Sequence, residues 1–181
     1  MLMLKAARLI DPASRTDDVK DILIAERKII KISDNLDLEA DMIARAKGER
    51  LEIIDCSGLV AAPGLIDSHV HMREPGFCYK EDVNSAAEAA KAGGFTTIIG
   101  MANTNPPIDD EAGILHVLTE GRKAGIRVKT CAAITRGMAG KELVDMKHLK
   151  ECGAAGFTDD GKPLVDIELV KEAMKTAAKL K

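Results

Sequence analysis

Apolar residues near the start of the chain come in short runs separated by turn-forming residues. Short runs bounded by polar turns predict β-strands. The predicted strands cover residues 2–10, 22–24 and 29–32. The pattern changes after residue 58, so we predict a small β-rich domain over residues 1–58.

A hairpin is predicted between the second and third of these strands. Its turn falls at Glu26-Arg27, although two-residue hairpin turns favour Gly, Asn or Asp, which adopt a positive φ easily. The following segment, residues 37–50, is polar with scattered apolar positions. It indicates a surface insertion or a short helix.

From residue 59 onward the chain repeats an apolar run, a loop and a helical run. The apolar runs predict four strands, at residues 65–70, 96–101, 128–133 and 155–158. Strands that alternate with helices pair in parallel through right-handed crossovers. Residues 59–181 therefore form either an open, doubly wound α/β sheet or half of an eightfold barrel, and the number of units does not separate the two. Neither a G-x-G-x-x-G motif nor a P-loop lysine is present to favour the nucleotide-binding sheets.

The helical runs have apolar residues three and four positions apart. We predict that the first helix begins with a capping box at Ser85 and Glu88 and ends at Gly93-Gly94. The second ends near Gly125. The third, ending at Gly153, carries Leu143, Met146 and Leu149, and the fourth, from about Asp166, carries the stripe Val170, Ala173, Met174 and Ala177.

The composition narrows the class of protein. Hydrophobic residues make up 46% of the chain but aromatic residues only 2%, so the core is aliphatic, which suits strands buried on both faces. The 26 Lys and Arg nearly balance the 29 Asp and Glu, without a basic block, which argues against a nucleic-acid partner. No apolar window approaches the length of a membrane span and the four cysteines are far apart, so we expect a cytoplasmic protein with no membrane partner.

Two histidines end the first strand of the repeating region. His69 and His71 stand two residues apart in HVHMREPG, so on a strand they point to the same side, at the carboxyl end where barrels place their active sites. Two converging imidazoles are typical metal ligands. The alternative is a chance pair, which would leave ring nitrogens unsatisfied in an apolar strand at a cost of about 1 to 3 kcal/mol each. Asp67 is in position to orient one imidazole.

Two more candidates follow strand ends. Arg73 lies in the same motif as the histidines, and Asn103 follows the second strand in MANTNPP. An arginine beside a metal offers a rigid pair of donors for a carboxylate, and an amide both donates and accepts hydrogen bonds. Taken alone, Arg73 is typical of a surface loop and Asn103 of a turn.

Two carboxylates, Asp159 and Asp160, end the fourth predicted strand in FTDDG. An Asp-Asp-Gly sequence by itself usually forms a turn. In a barrel, however, the ends of strands one and four face each other, so one carboxylate could complete a three-ligand zinc set with the histidines. His116 and His148 lie on predicted helices and are interpreted as exposed or packed side chains.

Four motifs, HVHMREPG, GGFTT, MANTNP and FTDDG, resemble those of the class I dihydroorotases of the cyclic amidohydrolase group at these spacings. The resemblance covers nearly the whole chain. It implies a (β/α)8 TIM-type barrel, of which this chain supplies about four βα units, and a small β domain shared with the C-terminal end of the protein. It also implies one or two Zn²⁺ ions at the barrel mouth, and the reversible cyclisation of N-carbamoyl-L-aspartate to L-dihydroorotate in pyrimidine biosynthesis.

The resemblance also assigns roles to individual residues. It implies that His69, His71 and Asp160 bind zinc, and that His71, Arg73 and Asn103 bind the small anionic substrate. A zinc-bound water would then attack the cyclic amide. Arg73 discriminates among relatives, because hydantoinases share the H-x-H without the REPG sequel and allantoinases usually lack the arginine.

The length of the chain limits this expectation. A barrel typically needs about 250 residues, and the family has further metal-binding histidines and its acid/base aspartate on strands five to eight, beyond Lys181. We therefore expect the N-terminal half of a dihydroorotase, inactive or nearly so alone, with a homodimer or aspartate carbamoyltransferase as candidate partners. The alternatives are a noncatalytic scaffold for another pyrimidine enzyme, another cyclic amidohydrolase, and two copies that pair their half-barrels.

Overall fold

The computed structural model describes residues 1–180 and divides the chain into two compact units. The first is Met1–Pro63 and the second begins at Gly64, a few residues beyond the boundary at 58 expected from the sequence.

The first unit is a five-stranded sheet with one helix. Its strands are β1 (Leu2–Asp11), β2 (Thr16–Ala25), β3 (Lys28–Ser33), β4 (Glu52–Asp55) and β5 (Val60–Ala61). The sheet order is β3-β2-β1-β4, with β5 also paired to β1. The first three strands are antiparallel, whereas β4 and β5 run parallel to β1. Helix α1 (Asp37–Lys47) occupies the polar segment, and its buried Ala40 packs against Met3, Leu23 and Leu36.

A buried carboxylate holds an irregularity in this sheet. The pairing of β1 with β2 shifts register between Leu4 and Ala7, and Ala6 there has a φ of 57°. Asp21 is buried and accepts hydrogen bonds from the Ala6 N–H at 2.9 Å and the Leu36 N–H at 3.0 Å. One side chain thus satisfies a backbone donor at the bulge and another at the start of α1.

The hairpin turn at Glu26-Arg27 is confirmed, because Ala25 pairs directly with Lys28. The two turn residues have φ values of 50° and 62°, which is the left-handed backbone that a two-residue turn requires. Both residues have a Cβ, which is sterically unfavourable in this conformation.

Replacing Arg27 with Gly is expected to stabilise the first unit by about 1 kcal/mol, because glycine adopts a positive φ without that cost. Urea unfolding of the chain measures the change. Arg27→Ala is the matched control, since it removes the side chain and keeps the Cβ. Equal stability of the two variants would show that the turn stores no such strain.

The second unit is a parallel sheet with helices between its strands. The strands are β6 (Leu65–Val70), β7 (Phe95–Gly100) and β8 (Arg127–Thr130), in the order β6-β7-β8. The helices are α2 (Val83–Ala92), α3 (Glu111–Gly121), a 3₁₀ turn at Arg136–Met138, α4 (Met146–Glu151) and α5 (Ile167–Leu180). Its core is aliphatic, as the composition predicted: Val83, Ile98, Ile114 and Val117 are all fully buried. Strand β6 lies at the edge of the sheet, where Leu65 and Ile66 are exposed.

The predicted fourth strand, residues 155–158, is wrong as a regular strand. It is reduced to a single parallel bridge between Ala132 and Phe157, although the Ala155 N–H still donates to the Thr130 carbonyl at 2.8 Å. The segment begins with Ala155 and Gly156, which offer little side-chain surface for strand packing. The chain nevertheless passes beside β8 in the predicted direction, so the next loop reaches the same end of the sheet.

Two predicted helix starts are also wrong. Helix α2 begins three residues earlier than predicted, because Asp82 is its N-cap and forms a capping box with Ser85. Helix α4 does not include Leu143, because Asp145 caps the helix by accepting the His148 N–H at 3.0 Å. In both cases an aspartate satisfies the free N–H groups at the helix start.

The apolar stripe predicted on the last helix is only partly buried in α5. Ala173 is buried and Val170 half-buried, whereas Met174 and Ala177 are exposed. Helix α5 packs beside α4, and a neighbour on one side leaves the rest of the stripe uncovered. None of the helices within residues 1–180 combines the length and apolar character needed to span a lipid bilayer.

Candidate metal centre

The carboxyl ends of the parallel strands bring the candidate residues together. Val70, next to both histidines, pairs with Gly100 at the end of β7, so the loop carrying Asn103 begins beside His69 and His71. The Thr158 N–H donates to the Ala132 carbonyl at 2.9 Å, which directs the Asp160 loop to the same edge. Residues distant in sequence thus meet because parallel strands end on one side of a sheet.

Three potential ligands converge at this edge. His69 Nε2 lies 3.4 Å from Asp160 Oδ1, and His71 Nε2 lies 3.6 Å from Asp160 Oδ2. One ligand atom from each of the three residues lies within 4.8 Å of the others. Ligand atoms around a tetrahedral zinc are about 3.3 Å apart, given bonds of about 2.0 Å. The two separations from Asp160 are therefore close to those that a divalent metal of this kind requires.

Asn103 connects two of these ligands. Its Oδ1 lies 3.1 Å from His71 Nδ1, and its Nδ2 donates to Asp160 Oδ2 at 2.8 Å. The amide oxygen can only accept, so the proton of a neutral His71 sits on Nδ1 and leaves Nε2 free as a ligand. Sequence reasoning missed this bridge, since no spacing in the chain relates residue 103 to residue 160.

The prediction that Asp67 orients an imidazole is wrong. Asp67 Oδ1 accepts the backbone N–H of His69 at 3.0 Å. A carboxylate two residues before a free N–H satisfies that donor locally, as in an Asx turn. Asp67 therefore fixes the strand end that carries His69, while Asn103 contacts the His71 ring.

The two adjacent aspartates have different environments. Asp159 is buried and accepts the backbone N–H groups of Ile134 at 2.7 Å and Thr135 at 3.1 Å, as well as the Thr135 hydroxyl. The side chain of Asp160 is 21% exposed and faces the histidines. The carboxylate of Asp159 thus holds the loop after β8, and the carboxylate of Asp160 is available to bind a metal ion.

Arg73 lies in the loop after β6, half-buried, with a φ of 60°. Within residues 1–180 its guanidinium forms no ion pair. The neighbouring Glu74 ties this loop to two helices: it accepts the Val83 N–H at 2.9 Å and lies 2.8 Å from His116 Nε2. A left-handed backbone in a loop held this firmly is a feature often found at binding sites.

His116 and His148 are both exposed, and each pairs with a glutamate, Glu74 and Glu111 respectively. Their interpretation as exposed or packed side chains is confirmed, since both are exposed. An open cleft of about 420 Å³ adjoins Asp160, and Lys162 contributes to its lining. Sequence reasoning did not single out Lys162, because one lysine after a glycine carries no signal.

Comparison with solved structures identifies the class of fold. The chain superposes on the L-hydantoinase (dihydropyrimidinase) of Arthrobacter aurescens with a TM-score of 0.76, at 21% identity, over 99% of this chain and 38% of that one. It also matches atrazine chlorohydrolase TrzN of the same species, solved with zinc, with a TM-score of 0.52 at 22% identity, over 81% and 39% of the two chains. The chain therefore has the fold of the N-terminal part of a TIM-type barrel, as predicted, and the donor set at its strand ends is one that suits a metal.

The chain belongs to the dihydro-orotase-like family, whose profile matches residues 58–181. It is 51% identical to the dihydroorotase of Clostridioides difficile over 180 residues, which are 99% of this chain and 41% of that protein. The sequence-based assignment to the dihydroorotases is confirmed at the level of the family. The chain spans about two fifths of the length of the curated relatives that it matches.

Proposed function

We propose that this chain carries the metal-binding and substrate-carboxylate-binding part of a dihydroorotase, which interconverts N-carbamoyl-L-aspartate and L-dihydroorotate. The observation that carries the proposal is the convergence of His69, His71 and Asp160 at one strand edge, in a chain half-identical to a dihydroorotase. Arg73 lies in the loop that follows β6, two residues after His71, and supplies a positive charge for an anionic substrate.

Zinc is the metal that we propose for this site, because two imidazole nitrogens and a carboxylate oxygen are zinc ligands. When bound, it would polarise the amide carbonyl and lower the pKa of a bound water. The chain contributes by holding its ligands in place. Asp67 fixes the backbone of His69, and Asn103 fixes the ring of His71 and the carboxylate of Asp160.

Asn103 can also donate a hydrogen bond to the substrate. Its amide nitrogen has two hydrogens, and one of them is directed at Asp160. The second remains available to a substrate carboxylate, together with the fork of donors on Arg73. We propose that His71 contacts substrate as well, from its position beside Asn103.

The test is a substrate panel on the native protein that carries this sequence. We expect hydrolysis of L-dihydroorotate and far slower hydrolysis of hydantoin and allantoin, because these two lack the carboxylate that Arg73 would bind. The intact mass should be recorded with it, and we expect a value well above 19.4 kDa. A metal-loaded native protein that preferred hydantoin would overturn the proposed substrate. A native protein without metal or activity would favour the noncatalytic scaffold.

Arg73→Gln is expected to raise the KM for dihydroorotate by roughly 10- to 100-fold, the effect of losing a hydrogen bond between charged groups. Steady-state kinetics on the native protein measure it. Arg122→Gln is the control, since Arg122 is exposed at the end of α3 and should leave KM unchanged. An equal KM for the Arg73 variant and the wild type would remove Arg73 from the binding site.

We further propose that the protein acts in the cytoplasm on this small anion. Self-association and association with aspartate carbamoyltransferase stay predictions, and sedimentation of the native protein with and without that enzyme tests both.

A further inference from the structure

A second group of potential ligands lies on the helices of the second unit. It consists of Glu111 at the start of α3, and His148 and Cys152 at α4. None of the three belongs to the centre formed by His69, His71 and Asp160. The sequence alone indicates an exposed or packed His148, and it does not connect this residue to Glu111, which is distant along the chain.

The geometry of the group is that of a chelating site. His148 Nε2 lies 3.0 Å from Glu111 Oε2 and 3.6 Å from Cys152 Sγ. All three ligand atoms lie within 4.8 Å of one another. Around a tetrahedral zinc, with bonds of about 2.0 Å to nitrogen or oxygen and 2.3 Å to sulfur, ligand atoms are about 3.3 to 3.6 Å apart. Small rotations of exposed side chains would bring the three donors to these separations.

The backbone fixes the spacing of two of the donors. His148 and Cys152 are four residues apart, and the Cys152 N–H donates to the His148 carbonyl at 2.9 Å, which completes a helical turn. Side chains at positions i and i+4 of a helix lie on the same face. Glu111 approaches from the neighbouring helix α3, so a bound ion would connect α3 to α4.

The charge around the group favours a cation. The carboxylate of Glu111 supplies a negative charge beside His148 and Cys152, and a bound ion would displace the proton of the Cys152 thiol. The side chains of Glu111 and His148 are 52% and 51% exposed, so an ion could reach them from solvent.

We propose that Glu111, His148 and Cys152 form a second metal site, specific for a borderline divalent ion such as Zn²⁺, with water as the fourth ligand. A sulfur, an imidazole nitrogen and a carboxylate oxygen together select zinc-like ions over Mg²⁺ and Ca²⁺, which prefer oxygen ligands. The ion joins two helices outside the strand-end centre, which makes it a structural site.

Cobalt(II) is the probe that separates the two sites. Only the site at α3 and α4 has a cysteine ligand, so only this site can give the near-ultraviolet sulfur-to-cobalt charge-transfer band. We expect the reduced full chain to develop this band with one equivalent of Co²⁺ and to lose it when Zn²⁺ is added. Magnesium should not compete.

Variants decide which residues bind the ion. Cys152→Ser should abolish the band, and His148→Ala should weaken Co²⁺ binding by more than the roughly 10- to 100-fold typical of a lost outer-shell partner. Cys78→Ser removes another accessible cysteine, and His69→Ala removes a ligand of the strand-end centre. Both variants should keep the band.

The melting temperature of the chain with and without Zn²⁺ gives a second test of the site. In the His69→Ala background, Zn²⁺ should raise the Tm, and this rise should disappear when Cys152→Ser is added. Circular dichroism of each variant confirms that the helices remain. Absence of the band in the reduced wild-type chain with excess Co²⁺, or its persistence in Cys152→Ser, would refute the site.

Discussion

Asp160→Asn is expected to lower the zinc affinity of the strand-end centre by more than about 100-fold, beyond the cost of losing an outer-shell partner. The substitution replaces a charged oxygen ligand that lies 3.4 Å and 3.6 Å from the two histidine nitrogens. Stability should change by less than about 0.5 kcal/mol, because the side chain is partly exposed and an asparagine keeps an oxygen that can accept the hydrogen bond from Asn103 Nδ2. Zinc titration against a competing chelator measures the affinity, with Cys152→Ser present in every variant to remove the second site.

The matched control for this experiment is Asp41→Asn, another accessible carboxylate, paired with Arg45 on α1. It should leave zinc affinity unchanged. His71→Ala should resemble Asp160→Asn, since both remove a ligand from the same site. If Asp160→Asn bound zinc as tightly as the control, Asp160 would not be a ligand.

Asp159→Ala is expected to destabilise the second unit by about 3 to 5 kcal/mol, the cost typical of leaving several buried partners of a charged group unsatisfied. The carboxylate is 6% exposed and accepts the N–H groups of Ile134 and Thr135 as well as the Thr135 hydroxyl. Guanidinium unfolding, followed by circular dichroism, measures the loss.

Thr135→Val removes the hydroxyl and leaves the two backbone donors to Asp159 in place. It removes the hydroxyl's bond to Asp159 and the bond that the Gly140 N–H donates to the hydroxyl, and it keeps the shape of the side chain, so we expect a cost of about 1 to 3 kcal/mol. A stability of Asp159→Ala equal to that of the wild type would show that the loop after β8 does not depend on this carboxylate. Substitution of Asp159 should therefore lower the stability of the second unit, whereas substitution of the adjacent Asp160 should lower zinc affinity and leave stability nearly unchanged.

The regular elements with strong sequence signals were predictable. Strands β1 and β6 and the hairpin at Glu26-Arg27 lie where the apolar runs placed them. The fourth strand of the second unit was not predictable in extent, because small residues such as Ala155 and Gly156 carry an apolar signal but little packing surface. Helix starts were misplaced where an aspartate caps the helix earlier or later than the apolar spacing indicates.

The sequence predicts which residues form the candidate site, but it does not predict which of their side chains contact one another. His69 and His71 were recognised from alternation along one strand, which is a local property. The role of Asp67 was predicted wrongly, because a carboxylate near an imidazole in sequence can equally accept a backbone N–H. The bridge through Asn103 joins residues on three separate loops.

The sequence by itself determined the parallel βα order, the histidine pair and the resemblance to the dihydroorotases, because each depends on periodicity or on a contiguous motif. Only the tertiary structure decided which aspartate faces the histidines, what holds the His71 ring, and that Glu111 meets His148 and Cys152. These outcomes depend on how separate strand ends and helices pack, and such packing brings together residues whose distance along the chain says nothing of their distance in space.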